Sequence, residues 1–138
     1  MAKEKSCGAI VYKKDNNSLK ILLVFECGTE NYSFPKGHVE ANETEIETAL
    51  REIKEETNLD VKIVGKFREK TTYYVKEKGH YKDLVLFLAE PISNKIIPQE
   101  GEIINCKWYS YDEALELLQY QDLKMILKKA FNYINAHK

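Results

Sequence analysis

The sequence predicts an α/β fold in which a mixed β-sheet is held between helical layers. Three observations carry this. Strand-patterned segments occupy both halves of the chain, interrupted once by an early helix-patterned segment and closed by late ones. Residues 20–26 (Lys-Ile-Leu-Leu-Val-Phe-Glu) hold a continuous apolar run, as a central strand buried on both faces does. The helical segments are apolar along one side only, as layers laid on a sheet are.

The elements follow in order. Residues 6–13 (Ser-Cys-Gly-Ala-Ile-Val-Tyr-Lys) read as a strand, and Asp15-Asn16-Asn17-Ser18 as the turn into the apolar strand 20–26. Tyr32 to His38 is a loop containing a short strand. Pro35 biases Phe34 toward extended backbone, and Gly37 permits close backbone approach. A helix opens near Glu43-Thr44, where Thr44 and Glu47 form a capping box, and ends at Thr57-Asn58. Ile46, Ala49, Leu50 and Ile53 make its core stripe. Residues 61–76 and 81–90 are β-rich and joined by a hairpin turn at Glu77-Lys78-Gly79-His80. Ile103 to Tyr109 is a further strand. Ser110 and Glu113 cap a helix reaching about Leu118, and Asp122 caps a last helix reaching about Asn135.

Composition narrows the function. A chain of 138 residues suits one domain, residues 1–138, with one core. A formal net charge of -1 gives no overall attraction to nucleic acid or anionic membrane. No apolar run approaches the ~20 residues of a spanning helix, and Met-Ala-Lys-Glu-Lys is not a signal peptide. Cys7, Cys27 and Cys106 are odd in number and widely spaced, with neither zinc spacing nor a disulfide framework. They read as reduced thiols of a cytoplasmic protein.

The most informative segment is the early helix. Glu52, Glu55 and Glu56 are spaced i, i+3, i+4, which places their carboxylates within an arc of roughly 100°. Glu45 and Thr48 share that side. Like charges at this spacing destabilise a helix by about 0.2–0.5 kcal/mol per pair, and a bound divalent cation would turn the repulsion into attraction. Acid-rich helices are also commonly no more than solvated faces. A hard cation such as Mg²⁺ prefers oxygen ligands, and no Cys or His clusters here for a softer metal. Such an ion would polarise a phosphoryl oxygen and lower the pKa of a bound water, as phosphoanhydride hydrolysis requires.

The whole run from Gly37 to Leu59 resembles the Nudix box, G-x5-E-x7-R-E-U-x-E-E-x-G-U, in which U is bulky and apolar. Gly37, Glu43, Arg51, Glu52, Ile53, Glu55, Glu56 and Leu59 match it. The one departure is Asn58 in place of Gly, and Asn is the best non-glycine residue for left-handed backbone. The resemblance implies a Nudix-type α/β/α sandwich with a mixed central sheet. It implies that Glu52, Glu55 and Glu56 hold Mg²⁺ (or Mn²⁺), together with the main-chain carbonyl of Lys36, and that Arg51 and Glu43 orient the site. It further implies a later loop glutamate acting as metal ligand or general base. In the segment Pro98 to Trp108, Glu102 has the better spacing and Glu100 is the alternative.

Outside the box, three stretches resemble the asymmetric diadenosine tetraphosphate hydrolases: Ser6 to Tyr12, Phe34 to Glu40, and Phe67-Arg68-Glu69 with Tyr74. That likeness implies a substrate such as diadenosine tetraphosphate, cleaved by water to ATP and AMP, with Lys36 and His38 facing phosphate and Tyr74 stacking on a base. The Lys62–Asp83 stretch is basic and aromatic, so Lys76 and Tyr81 join these as candidate substrate-binding residues, although an exposed hairpin would look the same. Two further enzyme readings remain: a nucleoside triphosphate pyrophosphatase and an RNA 5′-end pyrophosphohydrolase. The latter confines nucleic-acid partners to capped or triphosphorylated RNA ends. A non-catalytic nucleotide-binding sensor is the reading from a different class.

Overall fold

The structure is a computed structural model and describes residues 2–137. Strands β1 (Ala2–Asp15), β2 (Ser18–Glu26), β3 (Tyr32–Ser33) and β4 (Lys36–His38) precede helix α1 (Glu45–Thr57). Strands β5 (Val61–Val75), β6 (His80–Pro91) and β7 (Ile103–Ser110) follow, then α2 (Tyr111–Leu117) and α3 (Gln121–Ala136).

The sheet is mixed, as the sequence predicts, with the path β3-β2-β1-β6-β5. The long β1 serves two partners on one of its edges. Tyr12 to Asp15 pair antiparallel with β2, whereas Ser6 to Gly8 pair antiparallel with β4. Its other edge runs parallel to β6, with Ser6 opposite Leu84 and Ala9 opposite Phe87. The two edge partners diverge along β1, and the candidate site occupies the opening beside β4.

Alternation along β1 divides the core between the two faces of the sheet. Cys7, Ala9 and Val11 pack with Ala49 and Ile53 of α1. Ile10 and Tyr12 pack with Ala114, Leu118, Ile126, Leu127 and Ala130 of the late helices. Helices therefore cover both faces, which is the expected sandwich.

Both predicted capping boxes form. Thr44 Oγ1 accepts from Glu47 N at 3.1 Å and Ser110 Oγ accepts from Glu113 N at 3.1 Å, each answered by the reciprocal carboxylate. Asn58 closes α1 in left-handed backbone at φ 70°. Two sequence expectations are corrected, at Ile46 and Asp122, and one is refined, at Glu45. Ile46, placed in the core stripe, is 42% exposed, because helical periodicity fixes a face and not how far the partner surface extends. Asp122 does not cap α3. The N-cap is Tyr120, and Asp122 instead accepts the Thr71 hydroxyl at 2.6 Å. Glu45 shares the helical side of Glu52 but lies two turns away, where it pairs with Arg68 at 2.9 Å and with Lys5.

Candidate active site

Four elements converge beside β4: the second half of α1, the end of β2, the start of β6, and the loop before β7. The loop is held by α1 itself. The last carbonyls of a helix lack intrahelical partners. Here Glu56 O accepts from Gln99 N at 3.0 Å, and Thr57 O accepts from Ile97 N at 2.9 Å. Cys27 N then donates to Glu102 O at 2.9 Å. These bonds fix Glu102 between β2 and the acidic end of α1.

Two adjoining cavities result. The smaller, about 280 Å³, is lined by Lys36, His38, Glu52, Glu56, Lys82 and Glu102 among others. The larger, about 630 Å³, carries Tyr32, Tyr73, Tyr74, Lys76, Tyr120 and Asp122. Lys36, Glu56, Lys82 and Glu102 line both, so one space leads into the other.

The acids of the box divide into two groups. Glu43 is fully engaged. It accepts from Arg51 Nε at 2.6 Å, Thr48 Oγ1 at 2.7 Å and Glu40 N at 3.0 Å, and these donors, Arg51 foremost, hold its carboxyl down at about 2. Arg51 also donates to the His38 carbonyl at 2.9 Å, tying α1 to β4. Glu43 and then the neighbouring acids push the Arg51 pKa further up, so its charge is permanent. Glu56 is the opposite case. Its bonded partner is the Lys36 N–H at 3.1 Å, and burial pushes its carboxyl up to about 8, against the pull of Lys36. Burial also raises Glu52, against the pull of Arg51 at 2.8 Å. Glu55 leans outward onto Arg51 at 3.2 Å with its side chain 46% exposed, and it lines neither cavity.

Gly37 explains its own identity. A Cβ built there would overlap the Glu52 carboxylate, so only glycine lets that acid lie against β4. Lys36 extends the other way, with its ammonium 3.2 Å from Glu26 Oε2. Burial lowers its pKa, and Glu26, Tyr73 and Glu56 together more than offset that, so the ammonium stays charged.

The residues fit a hard divalent cation. Glu56 is a largely enclosed carboxylate whose hydrogen bond comes from the Lys36 N–H, Glu52 lies on the same helix face with Arg51 at 2.8 Å, and Glu102 lines the same space. Among the described residues, no three Asp, Glu, His or Cys side chains already form a finished coordination shell, because Arg51 draws Glu52 and Glu55 toward itself.

Of the other residues singled out in the sequence, His38 lines the smaller cavity with its ring held below its ordinary pKa by burial. Tyr81 packs edge-on against Tyr74, with ring centroids 5.1 Å apart, and supports it from the neighbouring strand. Glu100 lines neither cavity. Sequence reasoning did not single out Ser6, Glu26, Lys82 or Gln99 as site residues. Glu26 carried a usable signal, a carboxylate closing a buried apolar strand. The others reach the cavities only through strand register and the loop bonds to α1.

Comparison with known proteins agrees with this geometry. The NUDIX domain family model matches residues 3–129. The pig bis(5′-nucleosyl)-tetraphosphatase [asymmetrical] is 30% identical, covering 94% of this chain and 95% of its own length. The structure of a Caenorhabditis elegans Ap4A hydrolase binary complex superposes with TM-score 0.89 at 26% identity, covering 96% of this chain and 98% of that one. A second structure of the C. elegans Ap4A hydrolase gives 0.82 at 27%, covering 97% and 99%. With box, sheet topology and family model in register over nearly the whole chain, this protein belongs to the Nudix family of phosphoanhydride hydrolases.

Proposed function

We propose that this enzyme cleaves dinucleoside polyphosphates, with diadenosine tetraphosphate split asymmetrically to ATP and AMP. The observation that carries the reading is the continuity of the two cavities through Lys36, Glu56, Lys82 and Glu102. A polyphosphate can lie across the acids while a nucleoside occupies the aromatic chamber. The end-to-end likeness to the pig tetraphosphatase and the C. elegans Ap4A hydrolase supports the same substrate.

In this reading Glu52, Glu56 and the Lys36 carbonyl would hold Mg²⁺ or Mn²⁺, joined by Glu55 on turning away from Arg51. When bound, the ion neutralises phosphate charge and acidifies water. The protein supplies the rest. Arg51 and Glu43 fix the register of α1 against β4, so Glu52 is held in place when charge develops. Glu102 accepts the proton of the attacking water. Lys36, Lys82 and His38 meet the charge of the leaving polyphosphate. Tyr74 offers a ring face to a base, and Lys76 lies at the same chamber wall.

Product analysis by mass spectrometry in heavy-oxygen water tests this, with diadenosine tetraphosphate, nucleoside triphosphates and triphosphorylated RNA as parallel substrates. ATP plus AMP, with the label in one of them, is the expected outcome. Pyrophosphate released faster from a nucleoside triphosphate or an RNA end contradicts the substrate assignment. Tight dinucleotide binding without turnover identifies a sensor instead.

A further inference from the structure

We propose that the Ser6 hydroxyl binds the substrate, donating a hydrogen bond to a phosphoryl oxygen of the polyphosphate chain. The proposal rests on the Nudix reading of this site and extends it to a residue outside the box. Ser6 is 0% exposed, and among the described residues its Oγ has no hydrogen-bond partner. It nevertheless lines the smaller cavity, alongside Lys82, Lys36 and Glu56. A buried hydroxyl left unmet destabilises the fold, and native proteins keep few such groups without a reason.

The register of β1 explains why this position alone opens on the site. Ser6 stands between His38 of β4 and Leu84 of β6. Side chains two residues apart share a face, so Ser6, Gly8, Ile10 and Tyr12 point the same way. Ile10 and Tyr12 are core. At Gly8 the Pro35 carbonyl and Lys36 cross so closely that a Cβ would overlap them. Ser6 is the next position along, past that crossing, where the covered face gives way to the cavity.

The neighbouring charges select the ligand. Glu52, Glu56 and Glu102 form the acidic wall and suit a cation. Ser6 shares this cavity with Lys36 and Lys82, whose positive potential suits an anionic oxygen even though the Lys36 ammonium itself reaches toward Glu26. A neutral hydroxyl in that potential adds a directional donor without adding charge, and so fixes the orientation of one phosphoryl oxygen.

Ser6→Ala removes the oxygen and almost no volume. Three measurements are compared with the wild type: the melting temperature of the free protein, the steady-state constants for diadenosine tetraphosphate, and the calorimetric Kd for the β,γ-methylene analogue of ATP with Mg²⁺. The expected result is a melting temperature that stays level or rises, while Kd and KM each increase roughly tenfold and kcat falls by less than KM rises. Ser6→Thr, which restores the hydroxyl, should recover part of the lost affinity. Unchanged Kd and KM overturn the proposal, and so does a lowered melting temperature accompanying unchanged Kd. In either case the hydroxyl is met by an ordered water and serves packing only. A wild-type protein that neither binds the analogue nor hydrolyses any polyphosphate overturns the hydrolase reading itself, a result distinct from failure at Ser6.

Discussion

Two carboxylates of the box segment, Glu43 and Glu56, have opposite fates. Glu43 receives four hydrogen bonds from within the fold, two of them from Arg51, and its carboxyl is held down at about 2. Glu56 is more deeply enclosed, receives one, and is pushed up to about 8. Both acids belong to the same box, but only one finds its charge compensated by the protein. Glu43, with Arg51 and Thr48, finishes a structural joint between α1 and β4. Glu56 keeps an unmet demand for positive charge, and that demand is what a catalytic cation would satisfy. The family motif names both residues alike, and the structure separates their tasks.

The sharpest way to break this contrast is to neutralise each acid in turn. Glu56→Gln should reduce turnover on the order of 10²–10³-fold, while the metal-free protein melts at the same temperature near neutral pH and higher above pH 8, where the wild type buries a charge. Glu43→Gln should do the reverse in stability, lowering the melting temperature by loosening Arg51. Unchanged turnover in Glu56→Gln, or a melting temperature that falls more than in Glu43→Gln, removes the distinction.

A second comparison separates the two loop glutamates. Glu102 lines both cavities and Glu100 neither. Glu102→Gln should cost on the order of 10²-fold in kcat, and Glu100→Gln less than about twofold. The reverse pattern reassigns the base. A smaller effect is expected at Gly37. Gly37→Ala forces the Glu52 carboxylate away from β4 and should lower kcat by roughly tenfold or more, read by steady-state kinetics alongside circular dichroism that shows the fold retained.

The acids also titrate in opposite senses. Glu56 has a folded-state pKa above its ordinary 4.5, so the folded protein binds the extra proton between about 4.5 and 8. Stability of the metal-free protein should therefore decline as pH rises through that window, and Mg²⁺ should flatten the decline. Glu43 has a folded-state pKa below its ordinary value, so its contribution is present above 4.5 and is lost only as pH falls toward about 2. Urea denaturation at pH 5 and pH 8, with and without Mg²⁺, measures the first, and extending the series from pH 5 down to pH 2.5 measures the second. The smallest effect is at the end of α1. Asn58 sits at φ 70° and its Nδ2 donates to Lys95 O at 3.0 Å. Asn58→Val should cost about 1–2 kcal/mol, whereas Asn58→Gly should stay within about 0.5 kcal/mol. Equal melting of the two variants removes the backbone explanation.

What could be read from the sequence was mostly local. The caps at Thr44 and Ser110, the left-handed Asn58 and the acid spacing on α1 each depend on residues within one or two turns. The mixed sheet was legible from apolar runs and the order of elements. The contributions of Ser6, Lys82 and Glu26 were not, because a parallel β1–β6 register and the approach of β4 bring together positions some 80 residues apart in the chain. Asp122 shows the same limit. A residue of cap-forming type was claimed by Thr71 of a distant strand, and the helix began at Gln121 without a side-chain cap.

As proposed, the carboxylates at the end of α1 bind a hard cation through Glu56, the acid whose charge the fold leaves least compensated. Mn²⁺ titration followed by electron paramagnetic resonance, run on the wild type, Glu43→Gln and Glu56→Gln, tests it directly. The wild type should bind, Glu43→Gln should weaken binding only modestly, and Glu56→Gln should weaken it by roughly tenfold or more. Equal binding in all three, or no binding in the wild type, contradicts it.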